Sequence, residues 1–129
     1  MEKFNKQNFL EIYRFLIVGI CSVSIDFLFY YLFIYLDFFD PNNSKRISFI
    51  IGAIFAFYAN RNYVFKVSEK KFTQYVMFSL LYFLSFILNS IIHDYVYLLT
   101  SITLISFLCA TTVSTVTNFA GQKFIIFKN

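Results

Sequence analysis

The chain has 129 residues, enough for one domain. Apolar residues make up 59% and charged residues 14%, with a mean hydropathy of +0.66, whereas soluble domains carry about 25% charged residues. A soluble fold would lack the polar groups to cover itself. The net charge of +4, which in a soluble protein would suggest nucleic acid, sits at the ends of apolar runs and reads as a topology signal.

A bilayer core of about 30 Å takes about 20 apolar residues in a helix. The first such run predicts a helix over 15–36, broken only by Asp26. It is too long for the apolar region of a signal peptide and has no small-x-small cleavage site, so it is expected to stay. A connection from Asp37 to Arg46 follows, with Pro41, Asn42, Asn43 and Ser44 as turn chemistry. The second helix is predicted over 47–65, with Asn60-Arg61-Asn62 near its end, then a charged turn from Lys66 to Thr73. The third is predicted over 75–92. A tight connection from His93 to Tyr97 follows, where His93 and Asp94 read as a solvated pair at the membrane boundary. The fourth is predicted over 98–120, with an apolar tail to Phe127. Twenty Phe and ten Tyr suit lipid-facing walls and interfacial belts, and Cys21 and Cys109, both within apolar runs, read as small packing residues. The expected fold is all-α: a single membrane domain over 1–129 with four transmembrane helices.

Nine of the eleven Lys and Arg residues fall in the N-terminal segment, the second connection and the C-terminus; only Lys45 and Arg46 fall on the other side. The positive-inside rule then puts both termini in the cytoplasm. The two halves also resemble each other. Asn60-Arg61-Asn62-Tyr63-Val64-Phe65-Lys66 matches Gln122-Lys123-Phe124-Ile125-Ile126-Phe127-Lys128 at an offset of 62, and Tyr13-Arg14-Phe15-Leu16 matches Thr73-Gln74-Tyr75-Val76 at 60. Two repeated helical hairpins of the same topology are expected, related by an axis along the membrane normal.

Each predicted helix carries one small or polar stripe at steps of three and four. These are Gly19, Ser22, Asp26 and Tyr30; Gly52, Ala56 and Asn60; Tyr82, Ser85, Asn89 and His93; and Thr111, Ser114 or Thr115, Asn118 and Gln122. Small residues in such stripes serve helix packing. Asp26, Asn89 and Asn118 are costly in lipid, an Asp at a helix centre by about 2.5–3.5 kcal/mol, and such residues tend to be functional. Arg61 and Lys123, each four residues before a terminal Phe, either snorkel to the interface or hold a phosphate, for which Arg offers a planar fork and Lys a point charge. There is no Gly-rich phosphate loop, no metal-ligand spacing and no nucleophile–base pattern, so neither a catalytic site, a metal nor a cofactor is expected.

Arg14-Phe15-Leu16-Ile17-Val18-Gly19 opening the first helix, with Ser24-Ile25-Asp26-Phe27 inside it, resembles the GtrA-like family. So do Phe57-x-x-Asn60-Arg61-x-x-x-Phe65 and Asn118-Phe119-x-x-x-Lys123-x-x-x-Phe127. The resemblance implies a four-helix protein of the bacterial cytoplasmic membrane. It implies a flippase that moves polyprenyl-phosphate-linked sugar, typically glucose, to the outer leaflet for cell-surface polysaccharide, with membrane glycosyltransferases as partners. It points to Arg14, Asp26, Asn60, Arg61, Asn118 and Lys123; Gln122 departs from the Asn expected before the fourth-helix cation. On this expectation Arg61, Lys123 and Arg14 meet the phosphate, while Asp26, Asn60, Asn89, Asn118, Gln122 and Thr115 line the sugar path. Polar stripes would replace the water that sugar hydroxyls lose, since each unsatisfied group in hydrocarbon costs several kcal/mol. Two other readings stay open: a small exporter of cations or drugs, and a scaffold that docks a glycosyltransferase without transport. The small interior of four helices suggests a homo-oligomer.

Overall fold

The computed structural model describes residues 6–64 and 72–122. All regular structure among them is helical: α1 Lys6–Tyr35, α2 Pro41–Ala59, a π-helical segment Asn60–Val64, α3 Phe72–Thr100 and α4 Thr103–Gly121. Three helices are long and apolar enough to cross a membrane, over Tyr13–Tyr35, Val76–Thr100 and Thr103–Gly121. The apolar part of α2 begins only at Ile47, after six residues of turn and charged character.

Local chemistry explains the two helix reversals. At the end of α1 the Asp37 N–H donates to Ile34 O (3.1 Å) and the Phe38 N–H to Phe33 O (3.0 Å), while Asp37 takes a left-handed φ of 54°. This is a Schellman ending, and Asp is among the few non-glycine residues that tolerate it. Pro41 then starts α2, where its missing N–H costs nothing. At the end of α3, Ser101 takes φ 56° and its N–H donates to Tyr97 O (2.8 Å).

Two sequence expectations are corrected here. Because Pro41 nucleates α2, Lys45 and Arg46 lie inside a helix rather than in a connection. The stretch from His93 to Tyr97 is not a turn either: α3 continues to Thr100, because His93 and Asp94 find partners on neighbouring helices instead of water.

α1 pairs with α2 and α3 with α4 as hairpins, and α2 packs on α3. Aromatic contacts join α1 to α4: Phe27 meets Phe107 edge-on at 5.3 Å, and Phe15 lies 6.2 Å from Phe119. A Cβ at Gly52 would lie 3.0 Å from Ser22 O and 3.3 Å from Asp26 Cβ, so glycine there sets the close approach of α1 and α2. Burial is inverted relative to a soluble protein. Among the described residues eleven polar side chains are buried against seven apolar ones, while Ile20, Leu28, Leu80 and Leu98 are all more than 60% exposed. Hydroxyls on the outer faces bond their own helix, Ser24 to Ile20 O and Thr112 to Leu108 O, which satisfies these donors where lipid offers no partner.

Candidate functional site

The polar stripes face one interior. Between α1 and α2 the Ser22 hydroxyl donates to Gly52 O at 2.8 Å. Between α3 and α4 Ser85 Oγ donates to Asn118 Oδ1 at 2.6 Å, and Asn89 Nδ2 to Ser114 Oγ at 3.0 Å. The stripes keep constant spacing: Ser22 and Ser85, Asp26 and Asn89, and Tyr30 and His93 each lie 63 residues apart, while Gly52 and Ser114, Ala56 and Asn118, and Asn60 and Gln122 lie 62 apart.

A cavity of about 90 Å³ runs between the hairpins, with Asp26, Asn60, Thr111, Thr115, Asn118 and Gln122 on its wall. Gln122 is 4% exposed, and neither its Nε2 nor its Oε1 has a hydrogen-bond partner; Asn60 Oδ1 and Thr111 Oγ1 also have none. The Asn60 side chain also reaches the Tyr82 hydroxyl. Asn89 is buried but off the wall, acting through Ser114, and Thr115 reaches the wall from an otherwise exposed position. The volume suits a few waters, well below the roughly 300–1,000 Å³ of pockets for drug-sized ligands. A sugar would have to widen it.

At the end of the bundle that carries the two helix turns, the interior becomes charged. Lys45 is fully buried and its Nζ donates to Asp26 Oδ2 at 2.6 Å; the other carboxylate oxygen accepts from Ser48 Oγ at 2.6 Å. The Lys45 ammonium lies 4.4 Å from the Phe107 ring centroid and 5.7 Å from that of Phe49. Beside it, Tyr30 Oη and His93 Nε2 share a hydrogen bond of 2.7 Å, and Arg46 pairs with Asp94 across α2 and α3. His93 is fully buried, which corrects the expectation of a solvated His93–Asp94 pair; its Nδ1 is 3.6 Å from Asp94 Oδ1.

At the opposite end the Arg14 guanidinium stacks over Tyr63 at 5.3 Å, joining α1 to the π-helical segment. Arg61 falls in the same segment, a local widening of the helix often found at functional positions, but only its backbone is described. Lys123 lies outside the described residues. No group of three or more His, Cys, Asp or Glu that could share a metal ion occurs among the described residues.

A family model described as GtrA/DPMS, transmembrane domain, matches residues 14–127. The chain belongs to that family. Comparison with curated proteins finds no match, and comparison with solved structures finds none either.

This GtrA/DPMS domain is thus a membrane protein whose interior holds Asp26, Asn60 and Asn118, with Arg14 half-buried at one end. The residue that sequence reasoning missed is Lys45. Its signal was present: the Gly52, Ala56, Asn60 stripe extends backward in steps of four to Ser48, and Lys45 stands one turn before Ser48 on that face. Treating Lys45 as a loop charge hid it.

Proposed function

We propose that the protein moves a polyprenyl-phosphate-linked monosaccharide, glucose or a similar hexose, from the cytoplasmic to the outer leaflet of the bacterial cytoplasmic membrane, for glycosylation of cell-surface polysaccharide. In this reading all four helices span, with the termini inside and the helix turns outside, as the positive-inside rule favours. Membrane glycosyltransferases make the lipid-linked sugar and consume it. The observation that carries the reading is a lipid-facing exterior around an interior whose amide and hydroxyl atoms, Gln122 foremost, open unpartnered onto a cavity. Such groups replace the water around sugar hydroxyls, while the polyprenyl chain stays against Phe and Leu outside. Arg61, Lys123 and Arg14 meet the phosphate at the cytoplasmic end, and no protein nucleophile is involved. The exporter reading fits less well, because the carboxylate it would need for a cation, Asp26, already holds Lys45.

The test uses vesicles with labelled lipid-linked sugar inside and an enzyme outside that reports its arrival. Wild type should speed transfer, Arg61→Ala should abolish that gain, and Arg61→Lys should keep part of it, since Lys lacks the two-pronged fork. Equal rates with and without protein would remove the flippase reading and leave the scaffold. Equal rates for wild type and Arg61→Ala would keep the function and remove the site.

A further inference from the structure

We propose that Lys45 forms a second phosphate-holding site, at the turn end of the bundle, held shut by Asp26 until the phosphate monoester of a polyprenyl lipid takes the place of the carboxylate. The inference rests on the translocase reading and adds a site for the lipid phosphate that remains once the sugar has been passed on.

The geometry has three parts. Asp26 is on the cavity wall and Lys45 is not, so the carboxylate stands between the cavity and the ammonium. An anion advancing along the cavity therefore meets a negative group first and a positive one directly behind it. Next, Lys45 is poorly provided with oxygen. An ammonium has three donors. Among the described residues Lys45 gives one to Asp26, and the faces of Phe107 and Phe49 lie beside it. A phosphate monoester, the form of the lipid once its sugar has been passed on, brings three oxygens and more negative charge than a carboxylate, so it is the stronger partner for a cation so placed. Last, the pair is a poor device for stability alone, because two desolvated charges often cost as much as their attraction returns. Charges buried at membrane depth tend to mark ligand paths. The contacts around the pair, Tyr30 with His93 and Arg46 with Asp94, tie helices together at the same end. Release of Asp26 from Lys45 is then the step that unlocks this end.

The experiment measures binding, so it does not depend on transport. Full-length protein in nanodiscs is titrated with polyprenyl monophosphate, with uncharged polyprenol and inorganic phosphate as separate arms. Asp26→Asn removes the competing charge but keeps an oxygen for Lys45 and Ser48. It should bind polyprenyl monophosphate about tenfold tighter than wild type, which corresponds to about 1.4 kcal/mol, with polyprenol unchanged. Asp26→Asn/Lys45→Gln should lose that gain. Asp26→Ser, which also removes the charge but leaves a hydroxyl beside Lys45, should shift binding the same way, and carries the test should Asp26→Asn not fold. No tightening in the variant that folds, a gain that survives loss of Lys45, or an equal gain for inorganic phosphate would each overturn the inference. Equal transfer rates with and without protein in the vesicle assay would instead overturn the translocase reading, and this inference with it.

Discussion

Tyr30 and His93 occupy matching positions of the two hairpins, 63 residues apart, and their side chains meet through a 2.7 Å hydrogen bond. Equivalent residues of two repeats touch each other only near the axis that relates them. The contact therefore marks where α1 and α3 face each other, although these helices share no hairpin. Tyr30→Phe and a small apolar residue at His93, combined in a double-mutant cycle, should give a coupling of about 0.6–1.7 kcal/mol, the range of side-chain hydrogen bonds within membranes. Reversible unfolding in mixed micelles reads this, and additive single effects would remove the contact from the account.

Lys45→Met leaves the Asp26 carboxylate buried with only the Ser48 hydroxyl as partner. Removing one member of a buried pair costs about 3–5 kcal/mol, whereas replacing both by apolar residues is often neutral or stabilising. Lys45→Met should therefore unfold far more readily than Asp26→Leu/Lys45→Met. Equal stability of the two would mean that the pair is hydrated.

Two glycines of one interior should respond oppositely to alanine. At Gly52 the new methyl meets backbone at 3.0 Å and cannot be relieved by a rotamer change, so Gly52→Ala should cost about 1–3 kcal/mol. At Gly19 nothing lies within 4 Å, so Gly19→Ala should gain about 0.5–1 kcal/mol from the less mobile unfolded chain. Thermal unfolding of both variants in one detergent decides it, and a loss at Gly19 as large as at Gly52 would show that the cavity wall is tighter than described.

Orientation is open to a labelling test. With Cys21 and Cys109 replaced, single cysteines at positions 43 and 70 should react with a membrane-impermeant reagent from opposite sides of intact cells, position 43 from outside. Labelling from one side only would end the four-span arrangement.

The polar stripes were legible in the sequence because helical periodicity is local: steps of three and four fix which residues share a face, whatever that face meets. Asp26, Asn60 and Gln122 could be singled out that way, and the inverted pattern of polar interior and apolar exterior follows from it. The family was legible too, since its motifs are spread in order along the chain. Hydropathy, by contrast, averages over a window, so it cut off α2 at the first charges and ended α3 at His93.

What the sequence alone determined was the class of the molecule: too few charges for water, apolar runs of membrane length, and one polar face on each run. Only the tertiary structure decided who partners whom. Asp26 could have met water, a proton or an ion; it meets Lys45 because Gly52 lets α1 and α2 approach closely enough to seal the pair from solvent. A charge inside a membrane protein takes its meaning from its nearest opposite charge, and that neighbour, 19 residues away in sequence, is set by helix packing rather than by any local pattern.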